Sequence, residues 1–338
     1  MFWNNMPEFN NKTVGDKYTI QFLTVEDRKQ FEKKNNINFE KHKTIWYPKP
    51  PASKHSYFYT TDNDYKNKYP IYIISKGRAE SRLTVKALNK CNIDYKIFVE
   101  PQELNDYRKY IPDDNIIVLP FSNLGQGSIP ARNFVWEYSI KMGDKKHWIL
   151  DDNIRNFKRF NLNYKMKCNN GNFFRVMENF TDRCRNVKMS GPHYTFFQPQ
   201  NRITAPPYYA NTRVYSCILL DNELYPKFKW RGKFNEDTDL SIRILKAGYG
   251  TILFNAFLIE KPTTMTMKGG NADIYKNGRE EFVDSLVEQH PDCVKKIKRF
   301  NRFHHWVDYS QFKDNAFSYE EQKEEGINEM GFILKKNK

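Results

Sequence analysis

Two clusters of acids and two runs of interleaved basic and aromatic side chains are the parts of this 338-residue chain whose types and spacing could do chemistry. The first cluster, Asp151-Asp152-Asn153, places two carboxylates and an amide directly after the apolar run His147-Trp148-Ile149-Leu150. Hard oxygens packed that closely suit Mg²⁺ or Mn²⁺, and such an ion would in turn hold a diphosphate. The same three residues also form turns and cap helices. The second cluster, Asn235-Glu236-Asp237-Thr238-Asp239, precedes Leu240, Ile242, Ile244 and Leu245, the pattern of a helix whose first turn holds the acids. The helix dipole stabilises carboxylates there. Three acids and an asparagine exceed what a cap requires, and one of them could take a proton from a hydroxyl as general base.

Basic and aromatic residues alternate from Lys227 to Phe234, which includes Lys229, Trp230 and Arg231, and from Lys295 to Phe303, which includes Lys295, Lys298, Arg299 and Arg302. Such stretches grip a nucleic-acid backbone and offer ring faces to its bases. The second reads equally as an amphipathic helix with a solvated basic face.

The elements that must position these groups begin at Ile71-Tyr72-Ile73-Ile74, a short β-branched run. It ends in Ser75-Lys76-Gly77-Arg78, where Ser75, Lys76 and Arg78 are placed to meet the base, ribose or phosphate of a nucleotide. An amphipathic stretch with Leu83, Ala87 and Leu88 follows, then strands over 95–99 and 116–119 separated by a helix over 103–110. Ser128-Ile129-Pro130-Ala131-Arg132 opens a further helix, with a serine cap and a proline near its first turn. A fourth strand, 147–150, stops at Asp151. Strands alternating with helices predict an α/β fold, a Rossmann-type, mainly parallel sheet flanked by helices. Such sheets bind ligands at the carboxyl ends of their strands, near the point where strand order reverses, which is where Asp151 falls. Further on, strands over 208–220 and 250–258, a helix over 236–247 and a basic helical stretch over 275–303 are expected. The organisation is an N-terminal extension packed on the core (1–69), a catalytic domain (70–275) and a basic helical C-terminal segment with its tail (276–338).

Charge narrows the partners. Lys and Arg number 55 against 40 Asp and Glu, a net charge of +15, and the pI is about 9.3. That excess favours polyanions, nucleic acid first among them. Mean hydropathy is −0.81 with aromatics at 16%, so Tyr and Phe carry much of the packing. No run reaches the roughly 18 apolar residues of a membrane span, and the start MFWNNMPEFN lacks a signal-peptide pattern. A soluble, cytoplasmic protein with no membrane partner is expected. The five cysteines include no C-x-x-C pair, which argues against zinc knuckles and disulfide frameworks. The chain has neither G-x-G-x-x-G after its first strand nor a P-loop, which removes the main support for dehydrogenase and P-loop readings.

Taken together, Ile71 to Arg78, Ala131-Arg132-Asn133, Leu150 to Ile154 and the pair Glu236-Asp237 resemble a glycosyltransferase of the GT-A fold. More narrowly, Ser75 to Arg78, Leu150 to Ile154, Trp230 to Leu240 and Gly269-Gly270-Asn271 are similar to the TET-associated glycosyltransferases of bacteriophages, relatives of the base J glucosyltransferase. The resemblance implies transfer of a sugar from a UDP-sugar, with Mn²⁺ or Mg²⁺, onto a hydroxymethylated pyrimidine in double-stranded DNA, in a host cytoplasm if the gene is a phage's. By the same resemblance Asp151 holds the donor ribose or the metal, Asp152 holds the metal with Asn153 assisting, and His305, with His304 as the alternative, adds a late ligand. The metal motif usually carries acids at its first and third positions, whereas the third here is Asn153. Arg78 and Arg132 would steady the leaving diphosphate, and Asp237, with Glu236 as the alternative, would act as base in an inverting displacement. Two rivals share these residues: a metal-dependent nuclease, and a glycosyltransferase acting on a polysaccharide or protein.

Overall fold

The computed structural model describes residues 3, 6–10, 19–40, 58–59, 66–162, 164–198, 205–232, 234–262, 280–299, 301–315, 326–327 and 333–334. Among the described residues the first elements are α1 (Val25–Asn35) and the short β1 (Phe58–Tyr59). The alternating unit then runs β2 (Ile71–Ile74), α2 (Leu83–Lys90), β3 (Lys96–Val99), α3 (Leu104–Arg108), β4 (Ile116–Val118), α4 (Ile129–Lys141) and β5 (Lys146–Asp151). It continues through β6 (Asn156–Asn161), β7 (Tyr164–Cys168), α5 (Asn172–Asp182), β8 (Val187–Tyr194), β9 (Tyr208–Ala210), β10 (Cys217–Asp221), α6 (Glu236–Lys246) and β11 (Gly250–Glu260). After these come α7 (Glu280–Gln289), β12 (Val294–Arg299) and β13 (Arg302–Val307).

One large sheet has the order β1-β7-β6-β11-β8-β10-β5-β2-β3-β4, with β9 paired to β11. Strands β5, β2, β3 and β4 are all parallel, the doubly wound half expected from the sequence. They are apolar because helices cover both faces, and all four residues of β2 are buried. Strand β10 is antiparallel to both neighbours, β5 and β8, while β8 and β11 run parallel. The sequence pattern cannot show this insertion, since an antiparallel strand buried on both faces reads like a parallel one. Gly191 permits it: a Cβ there would lie 2.1 Å from the carbonyl oxygen of Cys217, so any side chain would push β10 away from β8.

Buried polar groups pin the start of the sheet. Glu178 on α5 accepts from the Tyr69 N–H at 3.2 Å, the Lys68 N–H at 2.6 Å and the Trp148 indole at 2.8 Å, which fixes the approach to β2. Of the N-terminal 69 residues, Trp3 packs on Phe180, Tyr208 and Phe254, and Met6 is buried in the same cluster.

Three local expectations differ from what is observed. The strand over 208–220 divides into β9 and β10 because Asn211 and Ser216 take left-handed φ values of 54° and 66°. Ser128 does precede α4, but its hydroxyl donates to Glu236 at 2.7 Å instead of capping its own helix. The basic helical stretch over 275–303 is helical, among the described residues, only from Glu280 to Gln289, and β12 and β13 form an antiparallel hairpin. Pro291 disfavours helix at His290, and the hairpin turns at Asn301, whose φ is 56°. The tail beyond Asn315 lies almost wholly outside the described residues.

Candidate active site

The carboxyl ends of β2, β5, β8 and β11 and the amino end of β10 meet at one edge of the sheet. Strand order reverses there between β2 and β5. A cavity of about 840 Å³ opens at that edge and is lined by both acidic clusters. Its walls include Ser75, Lys76, Arg78, Arg132, Asp151, Asp152, Asn153, Glu236 and Asp237, so residues far apart in sequence share one space.

Asp151 ends β5 between two cations. Its Oδ1 accepts from Arg132 Nη2 at 2.9 Å and its Oδ2 from Lys261 Nζ at 2.6 Å. Burial alone would raise its pKa, but Lys261 and Arg132 outweigh burial and hold it at about 2. Lys261 follows β11 directly and also donates to Ser216 Oγ at 2.9 Å, with Tyr194 Oη 3.5 Å away. Arg132 is buried beneath this group with its guanidinium 4.6 Å above the Trp230 ring. One of its nitrogens, Nη1, is buried without a hydrogen-bond partner.

Asp152 accepts from Ser75 Oγ at 2.7 Å and from Arg78 Nη1. Its pKa is raised by burial, against the pull of Arg78 and Ser75. Lys76 turns to Glu100 at 2.8 Å and to Asn123 at 2.8 Å. Asn153 Oδ1 is buried without a partner, although Asn153 lines the cavity. A divalent ion would find one unpartnered oxygen, Asn153 Oδ1, beside Asp152, whose oxygens each accept one hydrogen bond and keep a further lone pair; ions of this class often take only one or two protein ligands beside substrate phosphates. Asp151 has both oxygens committed to cations, Arg132 and Lys261. His305 lines no part of the cavity among the described residues. It lies on β13, its pKa lowered to about 4 by burial and by Arg213 and His304, and the structure does not bring it to the acids as a ligand.

Glu236 and Asp237 open α6. Glu236 accepts from Ser128 and lies 3.5 Å from Arg132 Nε, so it ties α6 to α4. Asp237 Oδ2 accepts from the Ser216 N–H at 3.1 Å, while Oδ1 lies 3.4 Å from Arg132 Nη2 without a hydrogen bond. Burial pushes Asp237 up to about 7; Arg132 opposes, and Glu236 and Asp151 add to the rise. A carboxylate poised near neutrality suits proton acceptance, and its partners distinguish Asp237 from Glu236.

The family model of the TET-associated glycosyltransferases matches residues 69–270, more than half of the chain, including both acidic clusters and Lys261. The protein belongs to that family. No curated protein matches it by sequence. It is similar to a solved structure described as a nucleotide-diphospho-sugar transferase from Desulfovibrio desulfuricans G20, at 9% identity and a TM-score of 0.35, over 67% of this chain and 96% of that one. It is also similar to GalNAc-T7, solved with UDP, GalNAc and Mn²⁺, at 14% identity and a TM-score of 0.39, over 76% of this chain and 57% of that one.

Of the residues expected to face DNA, Trp230 lies in the interior of this glycosyltransferase, whereas Lys229 and Arg231 are exposed. Trp230 is 2% exposed, packed between Arg132 and Trp136, because a large ring under a buried guanidinium is worth more there than in solvent. Arg231 is ion-paired with Asp239 at 3.0 Å, and Lys229 sits 4.8 Å over the Tyr225 ring. Lys295, Lys298, Arg299 and Arg302 are exposed on the β12–β13 hairpin. Gly269-Gly270-Asn271 lies outside the described residues. Lys261, Tyr194 and Ser216 were missed by sequence reasoning. The one available signal was positional: Lys261, like Asp151, stands where a long apolar strand stops.

Proposed function

We propose that this glycosyltransferase moves a sugar from a UDP-sugar onto the hydroxymethyl oxygen of a modified pyrimidine in double-stranded DNA, with inversion, in the cytoplasm. The observation that carries the reading is the single cavity in which Arg132 bridges Asp151 on the donor side to Asp237 on the other. In a single displacement the acceptor oxygen attacks the anomeric carbon as the bond to the diphosphate oxygen breaks. Asp237 takes the hydroxyl proton, and the electron pair leaves on the diphosphate.

Negative charge grows on that leaving group, and Arg78, Lys261 and Arg132, which line the cavity together with Lys76 and Arg213, would steady it. A divalent ion on Asp152 and Asn153 would supply further positive charge to the same phosphates. Ser75 orients Asp152, and Asp151, kept ionised by its two cations, is free to hold the donor's ribose through its remaining lone pairs. The net charge of +15 and the exposed basic hairpin support a DNA acceptor over a neutral glycan. Five free cysteines suit a reducing compartment, and no helix among the described residues is long and apolar enough to cross a membrane.

The test is incubation with UDP-sugars, Mn²⁺ and DNA with or without 5-hydroxymethylcytosine, followed by digestion and mass measurement of the nucleosides. A mass gain of one sugar on the modified base supports the proposal. Gain on a glycan with none on any DNA refutes the acceptor assignment.

A further inference from the structure

The cavity has one wall that the donor chemistry does not use. At its mouth the short turn Thr195–Phe197 presents Phe196, which is 86% exposed, and Phe197, which is 45% exposed. Both line the cavity. Exposed aromatic rings beside a polar cleft are expensive to leave in water unless something covers them. Behind them the rings form a stair: Phe197 lies parallel to Tyr194, with centroids 5.8 Å apart and planes 12° off, and Tyr194 meets Tyr215 edge-on at 4.3 Å. The stair ends at the chemistry, because the Tyr194 hydroxyl shares a hydrogen with Ser216 Oγ, and the Ser216 N–H donates to Asp237.

We infer that Phe196 and Phe197 form an acceptor subsite that stacks a planar pyrimidine drawn out of the duplex. The inference rests on the proposed DNA-base acceptor and specifies how it is held. A base inside a duplex cannot present its substituent to a recessed carboxylate, so it must leave the stack and regain its lost stacking on protein rings. Phe197 and Tyr194 already lie parallel, an array that a stacked base would extend. Asp151, Asp152 and Asn153 line the same cavity with polar groups that suit ribose and phosphates. The aromatic mouth therefore takes the base, and Tyr194 and Ser216 connect that mouth to Asp237.

The test compares Phe196→Ala, Phe196→Leu and Phe196→Trp with the wild type on duplex DNA carrying 5-hydroxymethylcytosine. Base-on-ring stacking is worth about 1–3 kcal/mol by alanine substitution, so Phe196→Ala is expected to raise the KM for DNA by roughly 5- to 150-fold. The KM for the UDP-sugar should stay as in the wild type. Phe196→Trp should retain the DNA KM and Phe196→Leu should not, a split that a merely apolar contact would not produce. Phe196 is almost wholly solvent-exposed, so loss of folding is not expected, and thermal melting of each variant checks this. If the wild type modifies DNA and Phe196→Ala or Phe196→Leu does so with an unchanged DNA KM, the subsite is wrong and the acceptor assignment stands. If the wild type adds no sugar to any DNA, both are overturned.

Discussion

Replacing Asp237 by Asn separates its acid–base role from its place in the fold. In the native site its pKa stands at about 7 against an ordinary 3.8. About a tenth of the molecules are then ionised at pH 6 and about nine-tenths at pH 8. If Asp237 accepts the acceptor's proton, kcat/KM of the wild type climbs about tenfold per pH unit below 7 and flattens above it. Asparagine keeps the shape and can still accept from the Ser216 N–H, but it cannot take a proton. The rate should fall by about 10²–10⁴-fold, the usual contribution of a positioned base, and the acid limb should vanish.

Stability should move the other way. A carboxyl whose folded pKa is raised contributes stability that is complete below the unfolded value of 3.8 and is lost as pH rises through about 7. At pH 8 the wild type therefore carries a penalty on the order of a few kcal/mol that the Asn variant avoids. The variant should melt above the wild type at pH 8, and the gap should close in acid. The assays are initial rates from pH 5 to 9 and thermal melts at matched pH. An Asn variant that turns over at the wild-type rate, or that keeps the acid limb, refutes the assignment of Asp237 as base.

Three further outcomes are expected. Asp152→Ala should weaken Mn²⁺-dependent donor binding by at least tenfold and Asn153→Ala by less, measured by calorimetry with UDP with and without chelator; unchanged affinity would remove both from the metal site. Lys261→Met strips Asp151 of its ammonium partner and should cost about 3 kcal/mol at pH 7, since breaking a buried pair leaves a charge partly uncompensated. Asp151's pKa is lowered, so the paired stabilisation is present above 3.8 and lost as pH falls through about 2, and urea melts of variant and wild type should converge towards that acid limit. Changing Lys298 and Arg299 together to Ala should flatten the salt dependence of DNA binding by about one unit of log–log slope per residue while leaving UDP affinity alone; an unaltered slope would clear the hairpin of phosphate contact.

The sequence by itself determined the pieces that depend on near neighbours along the chain. Ile71 to Ile74 and the strand ending at Asp151 are legible because β-branched runs bounded by polar turns have few other structures to adopt. The acids at the first turn of α6 are legible because the apolar spacing that follows them is helical. Charge excess and the absence of phosphate-loop glycines needed no structure. The hairpin at Lys295 to Phe303 was not legible, since its alternation fits a strand and a basic helix alike, and only Pro291 and the turn at Asn301 decide between them.

What the tertiary structure alone decided is which distant charges meet. That Trp230 lies under Arg132, that Asp237 keeps a buried oxygen without a hydrogen bond, and that Lys261 stands at Asp151 appear only in the folded sheet, into which β10 enters against its neighbours. That placement is set by packing between strands far apart in sequence, such as the contact that Gly191 allows with Cys217. Coulomb and desolvation energies depend on distance and burial in space, so the order of pKa values that holds Asp151 low and lifts Asp237 appears only once the sheet has closed.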